Sequence, residues 1–277
     1  MSWEIELVGL SMAQPCGRSV RAVLAGAAIA AALLIAPASA LIAGEVVVAI
    51  DAGHGGIDPG ASADGVTEKQ IVLEFARRLA TQINQIAGLR AFLIRDDDSF
   101  LTLSQRIRRA RDGGGNLIVS LHADTTEEGR AAGAHVYTLS RDGTDEAAVE
   151  LAERENRADV IGGIALAGES GDLAALLIDF AQRGTADETE KLATAMLTAM
   201  AGKVKLLWTE PHRRANFRVL KAPEIPSILV ELGYLSNVED RARMASNEWQ
   251  DRMAIALTEG ILGWTTIASG GFLAPKK

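Results

Sequence analysis

Cysteine is almost absent from this 277-residue chain: its single copy, Cys16, lies ahead of an apolar run near the N-terminus. Beyond that run the chain can form no disulfide framework and offers no thiolate nucleophile. Any metal there has to be held by nitrogen and oxygen ligands. Aromatic residues are scarce at 4%, too few for the stacking platform of a single-strand nucleic-acid binder. Positive charge is outnumbered, with 28 Lys and Arg against 36 Asp and Glu and a net charge of −8. That balance excludes the basic footprint nucleic acid requires, so no nucleic-acid partner is expected. There is also no internal repeat and no low-complexity tract.

The one long apolar run, residues 22–36, follows Arg18 and Arg21 and precedes the small-residue stretch "PASA" ending at Ala40. A basic region, a short apolar region and small residues at the end describe a secretory signal peptide over residues 1–40. The run is shorter than the ~20 residues a spanning helix normally needs; an uncleaved membrane anchor is the alternative. Met12 lies closer to the basic residues than Met1 and is an alternative start. The mature chain, 41–277, is then expected in the periplasm or outside the cell, with no membrane span.

From Glu45 onward, β-rich runs alternate with amphipathic stretches, which predicts a single α/β domain. Strands are predicted at 46–50, 91–94, 117–121, 135–139, 217–220 and 227–230. Ile71, Phe75, Leu79 and Ile83 recur every four residues and predict a helix, with Thr67 as its N-cap and Gln70 reaching back in a capping box. Further helices are predicted at 103–112, 187–203 and 248–264, with a frayed tail from 268. Residues 141–190 stand apart: thirteen acidic residues and four arginines give that segment a charge of −9, so the remainder is close to neutral. Such asymmetry marks an insertion or a binding face, and Leu173, Leu176, Leu177 and Phe180 within it make a helical apolar stripe.

The stretch "VVVAIDAGHGGIDPGA" runs from a strand straight into glycines and a histidine. The glycines could cradle a phosphate or let the chain bend so that His54 faces a metal. No Gly-Lys-Ser/Thr follows, and the spacing does not fit GxGxxG before a helix, so the phosphate reading is the weaker one. Four polar residues mark the ends of hydrophobic elements: His54 after the first strand, Glu68 opening the first helix, His122 after "LIVSL" and Glu231 after "SILV". In an open α/β sheet the carboxyl ends of strands share one crevice. Each residue has a structural alternative: Glu68 suits a first helical turn anyway, His54 a turn, His122 a hydrogen-bonded core. Glu231 is harder to explain, because a carboxylate ending an apolar run is costly to bury unless paired, protonated or beside a cation. Together the four fit a catalytic zinc site with His54, Glu68 and His122 as ligands, Glu231 being the group that takes a proton from the activated water. Asp124 is a candidate for fixing a histidine tautomer, or else a solvated loop residue. His135, within a strand, and His212, in the charged stretch "TEPHRR", read as structural.

The stretches "AIDAGHGGIDPGA", "TEK", "LIVSLHAD", "AERENRADVIGG" and "FRVLKAPEIPSILVELGYLSN" together resemble the zinc-dependent N-acetylmuramoyl-L-alanine amidases of the secreted, division-associated kind, over about residues 46–264. In that family the histidine of GHGG, the glutamate opening the first helix and the histidine of HAD bind Zn2+, and the glutamate of VELG is catalytic. Those positions are His54, Glu68, His122 and Glu231 here. The resemblance implies a mixed six-stranded sheet flanked by helices. It also implies hydrolysis of the amide between N-acetylmuramic acid and L-alanine of peptidoglycan, in wall remodelling and daughter-cell separation. Some members carry an inserted helical segment that plugs the zinc site until an envelope activator protein displaces it, and 141–190 occupies the corresponding place. Two departures stand out: Ala52 replaces a proline common in the family, and Gly184 falls near where a metal-blocking glutamate is expected. The second argues against direct capping from that position and leaves steric plugging. A zinc peptidase cutting cross-links, or an inactive wall-binding regulatory protein on the same fold, are the alternatives.

Overall fold

The structure, a computed structural model, describes residues 44–126, 131–161 and 172–269, with 172–184 and 268–269 described by backbone alone. The expected signal segment, 1–40, lies outside the described residues. Strand β1 (Val46–Ala52) is β-branched or small at nearly every position and buried throughout, as expected of a strand covered on both faces. A short hairpin, β2 (Ser62–Ala63) and β3 (Val66–Thr67), leads into helix α1 (Glu68–Ile83). There follow β4 (Leu89–Leu93), α2 (Leu103–Asp112), β5 (Leu117–Asp124) and β6 (His135–Leu139). The acidic segment supplies α3 (Glu146–Asn156), a single turn α4 (Ala158–Ile161) and the first part of α5 (Asp172–Met200). The chain continues through β7 (His212–Ala215), a 3-10 turn (Arg218–Leu220), β8 (Ser227–Tyr234), α6 (Val238–Met244) and α7 (Asn247–Ser269).

Six strands form one mixed sheet in the order β4-β1-β5-β8-β6-β7. Neighbours are parallel except β6 and β8, which run antiparallel. One face packs Val48, Ile50, Val119 and Val230 against Phe75 and Leu79 of α1, Met196 of α5 and Leu257 and Trp264 of α7. On the other face, Ala49 and Ile118 meet Ala110 of α2, while Tyr137 and Leu229 meet Leu151 of α3 and Phe217. Side chains alternate along a strand, so Asp51, Ser120, His122 and Glu231 fall on this second face. It is the face that α2 and α3 cover.

Several expectations need correction. Residues 217–220 are not a strand: Phe217 sends its ring into the α3 cluster and the chain turns through a 3-10 helix. The edge strand is β7, inside the stretch that reads as a charged loop. Its Arg213 lies over the Tyr137 ring and pairs with Asp145, and an edge position tolerates such polar side chains. Strands β5 and β8 run past 121 and 230, so His122 and Glu231 sit within strands rather than after them, opposite each other in register. Thr67 makes no side-chain cap; its hydroxyl donates instead to Gln70 Oε1 (2.8 Å). The full capping box belongs to α2, between Thr102 and Gln105. The helices expected at 187–203 and 248–264 are parts of the longer α5 and α7. The stripe Leu173–Phe180 falls where only the backbone is described.

Candidate metal centre

The glycine-rich turn after β1 is shaped around the side chains it carries. A Cβ on Gly53 would lie 2.6 Å from His122 Cε1, and one on Gly60, at φ +65°, would lie 2.6 Å from Glu68 Oε2. The backbone at both positions has to pass directly against an imidazole or a carboxylate. His54 itself has φ 57°, a left-handed conformation that costs a residue with a Cβ roughly 1–2 kcal/mol. That twist turns its ring toward the first turn of α1.

His54, Glu68 and His122 are brought together. His54 Nε2 lies 3.0 Å from Glu68 Oε2, and His122 Nδ1 lies 3.0 Å from Glu68 Oε1. The two rings meet edge to face with centroids 5.1 Å apart. Glu68 is fixed by two backbone donors, Ala61 N to Oε2 and Ala123 N to Oε1, both 2.9 Å. His54 Nδ1 is 2.9 Å from Asp58 Oδ2. That pairing puts the proton on Nδ1 and leaves the Nε2 lone pair facing carboxylate oxygens. Nε2 is buried and makes no hydrogen bond of good geometry among the described residues, so the arrangement asks for a proton or a cation at that point. Burial works against a charge on the His54 ring, yet the carboxylates of Glu68, Glu155 and Asp58 outweigh it and raise its pKa well above the ordinary imidazole value. Glu68 is also penalised by burial, but the two imidazoles hold it well below the usual carboxylate range.

Sequence reasoning missed two residues here. Asp58, four residues after His54, takes the orienting role expected of Asp124; Asp124 instead accepts from Arg154. Glu155, near the end of α3, places Oε2 3.3 Å from His54 Nε2 and 3.6 Å from His122 Nδ1. His54, His122 and Glu155 offer ligand atoms all within 4.8 Å of one another and are buried. Two imidazole nitrogens with carboxylate oxygens form a donor set compatible with a divalent metal. Gly184 lies where only the backbone is described; among the described residues it is Glu155 that brings a carboxylate of the acidic segment to the two imidazoles. Its only sequence signal is its place in "AERENRADVIGG".

Glu231 stands beside this cluster, fully buried. Oε2 accepts from Asp124 N (3.0 Å), and Oε1 has no partner among the described residues. Burial, with the carboxylates of Asp124, Glu68 and Glu155 added, pushes its pKa well above the usual range. Burial likewise lifts Asp124 to about 6, against the opposing pull of Arg154. His135, by contrast, sits in β6 stacked on Tyr234 and edge-on to Tyr137. His212 lies on edge strand β7 with Nε2 3.1 Å from the Thr138 hydroxyl.

A family model described as N-acetylmuramoyl-L-alanine amidase matches residues 48–263. N-acetylmuramoyl-L-alanine amidase AmiC of Escherichia coli O6:H1 is 36% identical over 233 residues, which cover 83% of this chain and 54% of that protein. AmiA of Escherichia coli K12 is 34% identical over 223 residues, or 80% of this chain and 76% of that one. The solved structure of AmiC2 of Nostoc punctiforme superposes with a TM-score of 0.55 at 28% identity, covering 79% of this chain and 97% of the other. The chain spans about half the length of the AmiC relatives it matches. The matched span takes in the whole sheet core from Val48, the His54–Glu68–His122 cluster, α3 and Glu231. The chain belongs to the N-acetylmuramoyl-L-alanine amidase family.

Proposed function

We propose that this chain is a zinc-dependent amidase that hydrolyses the amide between N-acetylmuramic acid and L-alanine in peptidoglycan. The observation that carries the reading is the convergence of His54 Nε2, His122 Nδ1 and both Glu68 oxygens beside Glu231, whose buried Oε1 is unpartnered. Zn2+ held by His54, Glu68 and His122 would supply, when bound, an activated water near neutral pH and a polarised scissile carbonyl. Asp58 keeps the proton on His54 Nδ1 and so presents Nε2 inward. Glu231 Oε1 takes a proton from the attacking water and releases it to the departing amine nitrogen. The Asp124 backbone N–H anchors the other oxygen of that carboxylate during both transfers.

The acidic segment 141–190 acts on this reading as a plug. Helix α3 is seated by an Arg154–Asp124 pair, by Asn156 bonded to Arg218 N (2.7 Å) and Asn216 O (2.8 Å), and by Leu151 in the cluster with Tyr137 and Phe217. One turn on, Asp159 accepts from Leu103 N (2.8 Å). Seated so, Glu155 occupies the space between the two imidazoles that the scissile carbonyl must enter. The partner that relieves it is an envelope protein that pulls α3 away. Residues 1–40 act as the export signal, which puts the enzyme at the wall outside the cytoplasmic membrane. Among the described residues no helix is long and apolar enough to cross a membrane.

The test is mass spectrometry of soluble products from purified peptidoglycan with zinc supplied, comparing the protein with its Glu155→Ala and Glu231→Gln variants. Free stem peptides beginning at L-alanine, enriched with Glu155→Ala and absent with Glu231→Gln, are expected. Cross-link fragments still attached to muramic acid would assign an endopeptidase instead. Absence of product from both the parent and Glu155→Ala would overturn the amidase reading.

A further inference from the structure

We infer that Arg106 is a positioning residue for the metal centre, a guanidinium fork that holds His54 in its left-handed backbone conformation so that Nε2 faces Glu68. The inference rests on the reading of His54 as a metal ligand. Arg106 lies within α2 and is 3% exposed. Its Nη2 donates to His54 O (2.7 Å), its Nη1 to both Ala52 O (2.8 Å) and Asp51 Oδ1 (2.7 Å), and its Nε to Leu101 O (3.2 Å). A second buried arginine, Arg95, donates to Ala52 O (2.8 Å) and Gly53 O (2.7 Å). Three successive carbonyls of the turn, those of Ala52, Gly53 and His54, therefore end on guanidinium donors. Beneath them, Asp51 is held in turn by the Ser120 hydroxyl (2.8 Å).

Two buried arginines of which, among the described residues, only Arg106 is paired with a carboxylate, Asp51, are an expensive arrangement, justified in energy only where the geometry is excellent and the hydrogen bonds are complete. Here they are complete at the place where the sheet cannot serve. Past Ala52 the chain leaves the ladder, and the twist at His54 points its carbonyl away from any strand, so a side chain must satisfy it. A planar fork can hold two carbonyls and a carboxylate at fixed angles, whereas an ammonium group acts as a point charge on a flexible stem. Asp58 sets which nitrogen of His54 faces inward; Arg106 sets where the ring stands. Neither Arg106 nor Asp51 is within reach of replacing a ligand, because their polar atoms are already committed to the turn and to each other.

The experiment is zinc competition with a chromophoric chelator on purified protein, read beside the thermal midpoint of the metal-free form. It compares the parent with Arg106→Lys, Ser120→Ala and His54→Ala. Removing a group that orients a ligand typically weakens metal affinity on the order of 10–100-fold, and that loss is expected for Arg106→Lys, with a smaller loss for Ser120→Ala. Wild-type zinc affinity in Arg106→Lys together with lost affinity in His54→Ala overturns the positioning role alone. Wild-type affinity in both overturns the metal reading on which it rests. A lower metal-free midpoint with unchanged zinc affinity makes Arg106 merely structural and also overturns the role. Should Arg106→Lys fail to fold, Ser120→Ala decides: it loosens only Asp51 under the fork, and unchanged zinc binding there counts against the inference.

Discussion

His135 should set part of the acid sensitivity of the fold. Its ring is fully buried between Tyr137 and Tyr234, and neither nitrogen makes a hydrogen bond of good geometry among the described residues. Burial, followed by the nearby Arg213 charge, pushes its pKa down to about 3; the Gly133 backbone and Asp145 oppose this only weakly. In the unfolded chain the same ring titrates near 6.5. Below that value the unfolded state binds a proton the folded state refuses, so stability falls as pH falls. The contribution is fully present above pH 6.5, is down by about 2 kcal/mol at pH 5, and continues to fall toward pH 3. His135→Phe keeps an aromatic ring against the two tyrosines and removes the titration. Urea unfolding of the metal-free protein followed by circular dichroism at pH 7 and pH 5 gives the test. The parent should lose about 2 kcal/mol more than the variant between the two pH values, with m unchanged. Every other titrating group is common to the two proteins and cancels in this difference. Parallel pH dependences would refute the reasoning, whatever the absolute stability of the variant.

Three further outcomes follow from the site. Glu231→Gln should retain zinc by elemental analysis while turnover of peptidoglycan falls on the order of 10²–10⁴-fold; a variant that turns over normally would remove the proton-transfer role. Asp159→Ala removes, only while α3 is seated, the partner of the Leu103 N–H and a 3.4 Å ion pair with Arg218. A buried hydrogen bond to a charged group contributes about 1.5–3 kcal/mol, and relief of the buried charge favours the low end, so basal product release should rise roughly 10-fold. Unchanged release from a folded Asp159→Ala would count against the plug. Gly53→Ala drives a Cβ into the His122 ring and should reduce bound zinc well below one equivalent at unchanged secondary structure, measured by elemental analysis and circular dichroism.

What could be read in the sequence was whatever short-range pattern encodes. The Ile71–Ile83 stripe and the apolar run before His122 show their elements directly, since a helix or strand buried on a known face leaves its period in the chain. Glu68, His122 and Glu231 stand out because each interrupts or borders an apolar stretch, where a charge needs a reason. The edge strand β7 left no such trace. His212, Arg213 and Arg214 look like a loop until Tyr137 is known to lie beneath Arg213. Phe217, which looks like a strand residue, earns its burial from α3 instead. Glu155 was illegible for a related reason: it is one of thirteen acids in its segment, and only the docking of α3 brings it to His54. Asp58 was closer to hand, four residues after His54, but its role depends on a turn whose left-handed twist falls on the histidine rather than on a glycine.

The placement of that docked helix bears on how the enzyme would be turned on. Its apolar side chain Leu151 and the small residues Ala148 and Ala152 cover Tyr137, Phe217 and Val219, while its polar end reaches Asp124 and the imidazoles. On the proposed reading, the same face of the sheet therefore holds Glu231 as the proton-transfer group, His54, Glu68 and His122 as the metal ligands, and an apolar floor, all beneath one element. An activator does not have to touch the metal centre to open it. Drawing α3 away by its solvent side, where Glu146, Glu150 and Glu153 are exposed, uncovers floor and ligands in one step, since Arg154, Glu155 and Asn156 leave with the helix that carries them. Three carboxylates on that outer side favour a basic partner surface, whose attraction weakens as salt screens it. Activation by such a partner should then fall with ionic strength more steeply than the basal rate of Asp159→Ala, whose opening needs no partner, and equal salt dependence of the two rates would place the partner's grip elsewhere.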